Sequence, residues 1–300
     1  AMATVDKMIV ELSLSAFLGN FSKGIQDISF DGVTLNVIRS KDKKINIFEF
    51  VKLKGQPSSS LFSGTLNFTN INGVFYDYLG WKKQPSSFEQ SFKNGRGQIV
   101  FQKNSTVNLN FSLFFSDATT QLDIEGEVKG KDFFYDFSVD QLYLERWGPY
   151  LLPSKYFYIQ DDFVSVKGTL YRSLDVDYST FKVPFNYSID VGFDYLTYKQ
   201  KNMPYPIQNL NGRILLSNED DSVLYIDALR GEIEQIPVEI DGYIYFDKKQ
   251  YDVNLSSTDP ISLNNLFDNF NIKNQIPLST NLNIDVSVNG SFKVPLITTN

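Results

Sequence analysis

Two acidic clusters, Asp161-Asp162 and Glu219-Asp220-Asp221, are by type the side chains best suited to chemistry in this sequence. Neighbouring carboxylates work as a general acid and base, or hold calcium through their oxygens. Neither cluster has the Asp-x-Asp-x-Asp-Gly spacing of a calcium loop. Both fall between predicted strands, where acidic residues solvate turns. Gly95-Arg96-Gly97 has the glycine content of a phosphate loop, but no helical pattern follows it to aim N–H groups at an anion, so it reads as turn chemistry before a strand. Trp81 and Trp147 have flat faces of the kind that stack on sugars or rim a membrane. In a chain with 26 Phe and 17 Tyr they are expected in the core. The Asn-x-Ser/Thr sequons at Asn67, Asn104, Asn110, Asn186 and Asn254 carry no weight in so Asn- and Ser-rich a sequence. There is no Cys and no His, which removes the thiolate nucleophile, the usual zinc ligands and the commonest proton shuttle. No enzymatic activity, metal or cofactor is expected.

The net charge of −7 and pI near 4.8 argue against nucleic acid, whose phosphates need clustered Lys and Arg. Without Cys a disulfide-stapled scaffold is excluded. No apolar run reaches the roughly 18 residues of a membrane-crossing helix. Ala1-Met2-Ala3 reads as a cloning scar and Thr298-Thr299-Asn300 as an unnatural end, so an excised piece of a longer protein is expected.

What the chain does have is alternation with a period of two, the signature of strands with one apolar face. Leu109, Phe111, Leu113 and Phe115 alternate with Asn108, Asn110 and Ser112. Leu122, Ile124 and Val128 follow, then Phe133, Tyr135 and Phe137, then Val164 and Val166. The longest run is Val183, Phe185, Tyr187, Ile189, Val191 and Phe193. Val238, Ile240 and Ile244 form another, and Leu282, Ile284, Val286 and Val288 the last. Separate strands are predicted over 25–30 and 33–38, and a hairpin over 61–79 around Asn70-Ile71-Asn72-Gly73, because Asn-Gly supplies the positive φ of tight turns. The stretch 45–51 reads equally as a short helix or a strand, and 145–152 as a helical turn or loop. The fold class is all-β, a long curled antiparallel or mixed sheet with a few short helical turns. Three regions are expected, 1–55, 56–205 and 206–300. No long amphipathic helix exists to cover the apolar face, so that face must meet another sheet, close into a barrel, or line a space for something else.

The stretch 209–267 is echoed by an earlier one. Asn209-Leu210-Asn211-Gly212-Arg213-Ile214-Leu215-Leu216 leads to Gly242 and Tyr251, as Asn94-Gly95-Arg96-Gly97-Gln98-Ile99-Val100-Phe101 leads to Gly126 and Tyr135. With Pro237-Val238-Glu239-Ile240-Asp241-Gly242, and with Asp31 to Leu35 followed by the Asn-containing stretch 45–51, these residues resemble the repeating unit and opening of AsmA-like proteins of the TamB group. The doubled glycine of Gly95-Arg96-Gly97 departs from the family's single one. The resemblance implies a sheet curled like a taco around an apolar groove, in a periplasmic protein anchored to the inner membrane by an N-terminal helix. It implies phospholipid as cargo, the alternating residues named above as groove lining, and in some members a barrel-assembly partner in the outer membrane; homologues also occur in chloroplast envelopes. The rivals are a structural or adhesive β-sandwich with a closed core, and a membrane barrel.

Overall fold

The computed structural model describes residues 3–13, 25–42, 46, 63–78, 88–116, 119–144, 146–147, 163–173, 176, 184–199, 205–219, 221–264, 280–292 and 294–299. Among them the fold is all-β, with isolated helical residues at Asn46, Leu144, Arg146, Trp147, Leu263 and Asn264. The strands are β1 (Ala3–Leu12), β2 (Ile25–Arg39), β3 (Gly64–Asp77), β4 (Phe88–Phe101), β5 (Thr106–Phe115), β6 (Gln121–Lys129), β7 (Asp132–Tyr143), β8 (Phe163–Arg172), β9 (Asn186–Tyr198), β10 (Ile207–Ser217), β11 (Val223–Ile233), β12 (Ile236–Tyr245), β13 (Gln250–Ser257), β14 (Ile261–Ser262), β15 (Asn281–Leu282), β16 (Asp285–Ser291) and β17 (Val294–Thr299). All but β14 and β15, which pair with each other, belong to one long mixed sheet whose strand order is the chain order. Two compact units divide the chain, residues 1–141 with 169–185, and residues 142–168 with 186–300.

In the first unit β2 and β3 run parallel, and the other ladders from β1 to β7 are antiparallel. A parallel pair has no hairpin to set its register, so side chains must do it. Arg39 is opposite Asp77 at one end, with Nη1 to Oδ2 at 3.2 Å. Midway, the Asp31 carboxylate accepts hydrogen bonds from Thr69 Oγ1 at 2.9 Å and Asn70 Nδ2 at 2.7 Å. In the crossover between the two strands, Asn46 imitates a strand residue: its Nδ2 donates to the Asn36 carbonyl at 2.7 Å and its Oδ1 accepts from the Ile38 N–H at 2.9 Å.

The donors from Thr69 and then Asn70 hold the Asp31 carboxyl below its ordinary value. A group depressed in the folded state stabilises above its unfolded pKa, about 3.9, and loses that contribution as pH falls through the folded value. Acid titration of Asp31→Asn should therefore give a shallower loss of stability below about pH 4 than the parent chain shows.

The second unit is an antiparallel meander from β9 to β13 that continues through β16 to β17. Its β11–β12 turn is the two-residue Glu234-Gln235, with φ of 49° and 66°. Both central residues of such a turn need positive φ, and here neither is Gly or Asn, which hides the hairpin from a sequence reader.

Three sequence expectations are corrected. The expected break at Asp31-Gly32 is absent, because β2 is one strand of 15 residues that passes through Gly32 at a φ of 70°. The expected hairpin around Asn70–Gly73 is also absent, because β3 continues for 14 residues through that segment. Gly95-Arg96-Gly97 likewise lies inside β4 rather than ahead of a strand. Positive φ at Gly32, Asn70 and Asn94 thus falls inside strands instead of at chain reversals, and at Asn70 and Asn94 it accompanies a step in register.

That irregularity recurs in identical form. Across β3 and β4 the register steps from Phe68↔Gly97 to Ile71↔Gly95 to Gly73↔Phe92. Across β10 and β9 it steps from Ile207↔Tyr198 to Leu210↔Leu196 to Gly212↔Phe193. Each strand contributes an extra residue once, a pair of reciprocal bulges. Asn70 and Asn209 have φ of 53° and 52°, and so do their partners Asn94 and Tyr195, at 55° and 57°. The second Asn of each Asn-x-Asn-Gly donates to the carbonyl of the first, at 2.9 Å for Asn72 and 2.6 Å for Asn211. Its Oδ1 accepts the partner's N–H, from Asn94 at 3.2 Å and from Tyr195 at 3.1 Å. Between them Ile71 and Leu210 are buried, 1% and 6% exposed. In geometry the counterpart of Asn209–Gly212 is thus Asn70–Gly73.

Asn72→Ala and Asn211→Ala are each expected to lower unfolding stability by about 1 kcal/mol, since each removes two hydrogen bonds that hold an irregular backbone. A bulky residue at positive φ is strained, whereas Asn is favoured there. Tyr195→Asn, at a site that is 72% exposed, should therefore raise stability by about 0.5–1 kcal/mol in urea titrations.

Candidate functional site, the apolar face of the sheet

Side chains directly opposite on paired strands share a face, so the registers define rows that run across each unit. In the first unit one row is Met8, Phe30, Phe68, Gly97, Phe111, Ile124 and Phe137. The next is Val10, Ile28, Leu66, Ile99, Leu109, Gly126 and Tyr135. Phe101, Val107, Val128 and Phe133 continue toward one strand end, and Leu113, Leu122 and Val139 toward the other. The rings form a connected surface: Phe30 stacks on Phe68 at 5.2 Å, Phe68 meets Phe111 at 5.8 Å, and Phe133 lies 5.3 Å from Tyr135 and 6.1 Å from Phe185. Glycine makes this possible at two points, for a Cβ on Gly97 would strike the Phe111 ring and one on Gly126 the Tyr135 ring.

The second unit has the same construction. One row is Val191, Ile214, Ile226, Gly242, Val253 and Val288, and beside it run Ile189, Leu216, Leu224, Ile244 and Tyr251. Leu229, Ile240, Leu255 and Val286 form a third.

The opposite faces are polar. Ser29, Asn67, Gln98, Asn110, Glu125 and Asp136 are in register, with Gln98 Nε2 donating to Asn67 Oδ1 at 2.9 Å. In the second unit Arg213 pairs with Asp190, Arg230 with Glu239 at 2.6 Å, and Tyr225 stacks on Tyr243 at 4.8 Å. Asp227 beside it raises the Tyr225 phenol above its ordinary value, and burial does the same to Tyr135 and Tyr198. All three are neutral at physiological pH and present no charge to either face.

The apolar rows are not sealed. Phe30, Phe68, Phe111, Ile124 and Phe137 in the first unit, and Val191, Ile214, Ile226, Val253 and Val288 in the second, are half-buried. Other positions are closed: Ile236, Val238 and Ile261 form a buried cluster with Ile233, Leu255 and Ile284 packed on them, and Phe92, Phe115, Val139 and Leu229 are buried as well.

Of the residues expected to line a groove, Leu109, Phe111, Leu113, Leu122, Ile124, Val128, Phe133, Tyr135 and Phe137 are brought together in the first unit. Ile189, Val191, Ile240, Ile244, Val286 and Val288 are brought together in the second. Phe193 opposes Gly212 at the reciprocal bulge, Tyr187 lies at the strand end where its N–H meets Asn218 Oδ1, and Phe185 precedes β9 and touches Phe133. Val166 is half-buried on β8, while Phe115, Val164 and Val238 are fully buried. Leu282 pairs with Ile261 in the small separate sheet and Ile284 joins the closed cluster, because β15 and β16 are distinct where one strand was expected. Val183 lies outside the described residues.

Phe30, Leu66 and Phe68, and Ile214, Leu224, Ile226 and Val253, belong to the rows without having been anticipated. Their signal was blurred, since in Val223-Leu224-Tyr225-Ile226 both faces carry large side chains and a bulge after Ile226 shortens the run.

Asp161, Asp162 and Asp220 lie outside the described residues, Glu219 is exposed, and Asp221 accepts from Lys248 Nζ at 2.6 Å. Among the described residues no group of three or more acidic side chains could hold a metal ion, and no helix is long and apolar enough to cross a membrane. Trp81 is outside the described residues and Trp147 is half-buried. Comparison of the chain with family models, with curated proteins and with solved structures finds no match in any of the three.

Proposed function

We propose that this chain is a segment of a lipid-transfer conduit, an AsmA-like module whose apolar face holds phospholipid acyl chains between the inner and outer membranes of an envelope. The observation that carries this reading is the set of apolar rows in register across strand after strand, left half-buried while the other face is polar. Neighbouring strands lie about 4.8 Å apart, so each strand crossed offers an acyl chain a fresh apolar contact of the same kind. At ~0.8 kcal/mol per methylene, a sixteen-carbon tail would gain on the order of 12 kcal/mol relative to water, which offsets what the same tail gives up on leaving a bilayer. A lining of similar residues has no deep trap, so the tail slides. On this reading the chain works in the periplasm, tethered to the inner membrane and delivering toward an outer-membrane barrel-assembly protein.

The test places a photoreactive amino acid at Phe111, Ile189 or Val253, and on the other face at Asn110, Asp190 or Asp252. After irradiation in cells, phospholipid adducts are expected from the first set alone. Equal labelling of the two sets overturns the proposal.

A further inference from the structure

The outer edge of β1 offers a surface that the lipid reading does not use. All ten residues of β1 are exposed, and five of them, Val5, Met8, Ile9, Val10 and Leu12, are large hydrophobics; Met8 is 62% exposed. Among the described residues β1 pairs with β2 on one side only and is the first strand of the sheet. Natural edge strands are blunted by Pro, by short length, by charged side chains or by covering structure, since a free row of N–H and C=O groups templates another strand; of these, β1 shows among the described residues only its charges, Asp6, Lys7 and Glu11, which are of both signs. The strand at the other edge, β17, carries Pro295, which has no N–H to donate. β1 has no Pro and no Gly.

We infer that this edge pairs with β1 of a second copy of the chain, antiparallel and about a two-fold axis at Ile9. A two-fold axis perpendicular to the sheet keeps each residue on its own face, so only residues of the same parity can meet. Val5, Lys7, Ile9 and Glu11 share one face, and Met8 and Val10 the other. Centring on Lys7 sets two like charges opposite each other. Centring on Met8 sets Asp6 against Val10, and centring on Val10 sets Glu11 against Ile9. Centring on Ile9 sets Lys7 against Glu11 twice, Ile9 against Ile9, and Met8 against Val10 twice, with Asp6 against Leu12 as its one mismatch near the strand ends. Only this register joins a cation to an anion, and it also carries both apolar rows, the one ending at Met8 and the one ending at Val10, across the junction into the second copy.

The interface is one strand pair, smaller than that of a permanent dimer, so association in the micromolar range is expected by sedimentation equilibrium of the 300-residue chain. Lys7→Glu and Glu11→Lys each place like charges opposite each other at two symmetric points and should each weaken association about tenfold. The double variant Lys7→Glu with Glu11→Lys restores the pairing and the affinity. Because the chain has no cysteine, Ile9→Cys provides a second readout. Opposite residues in an antiparallel pair lie about 4.5–5.5 Å apart at Cα, within disulfide reach, whereas two copies of Val5→Cys would be far apart. Mild oxidation should crosslink Ile9→Cys and not Val5→Cys. A chain that stays monomeric to the solubility limit overturns the inference, as do equal crosslinking of the two cysteine variants and a double charge swap that fails to recover. Loss of lipid adducts from the apolar face with dimerisation intact would overturn the conduit proposal alone.

Discussion

On the proposed conduit reading, Phe111→Asp is expected to reduce copurifying phospholipid about a hundredfold, the cost of setting an unpaired carboxylate against acyl chain being about 2.5–3.5 kcal/mol. Phe111 lies in the first unit's row from Met8 to Phe137, flanked by Ile124 on β6 and reaching over Gly97 to Phe68. A charge there interrupts the row between the neighbouring ones through Leu109 and Leu113. Phe111→Leu keeps the face apolar and should retain lipid, although it loses the ring contact with Phe68. Asn110→Asp, one position along on the exposed polar face, should leave lipid content unchanged. Native mass spectrometry quantifies the adducts, and circular dichroism confirms that each variant keeps its β signature. Full lipid content in Phe111→Asp would mean that the tails lie elsewhere.

The second large effect concerns stability. Asp77 has no exposed surface, and its Oδ2 lies 3.2 Å from Arg39 Nη1, whose side chain is a third exposed. Removing the cation takes a charge-assisted partner from a fully buried carboxylate, a cost of several kcal/mol when both groups are buried and less when one still meets water. Arg39→Met is therefore expected to lower unfolding stability by about 2–3 kcal/mol, read as a shift in the urea midpoint. Lys in place of Arg39 keeps the charge but loses the planar fork, and should recover part of the loss. The effect is large because the pair closes the end of β2–β3, the parallel ladder that no tight turn can align.

The legible part of this fold was whatever repeats with a period of two. Strand identity was plain in Thr106–Phe115 and in Ile236–Tyr245, where the alternation is unbroken and the antiparallel neighbours are adjacent in sequence. The register between distant strands was not, because alternation tells which face a residue takes and not which residue lies opposite. The Asn-rich segments misled for a definite reason. Positive φ is required equally by a tight turn and by a bulge, and Asn70-Ile71-Asn72-Gly73 satisfies both; only the partner strand decides between them. Glu234-Gln235 is the converse, a reversal built from residues that advertise none. The candidate face was legible in its chemistry and incomplete in its membership, since the bulges beside Phe68 and Ile226 shift the phase and break long runs into short ones.

The reciprocal bulges also bear on how the chain finds its fold. A plain two-period ladder looks alike after a slip of two residues, oily side still facing oily side, so a sheet of such ladders has many nearly equivalent misalignments. Two kinks that interlock, one on each partner, admit a single alignment. A deletion of two residues from Gly212–Ser217 preserves the face and the indent, whereas the same deletion taken from Gln208–Asn211 removes the notch into which Tyr195 and Leu196 fit. These notches are the indexing marks of the assembly, and strands without one inherit their position from a neighbour that has it.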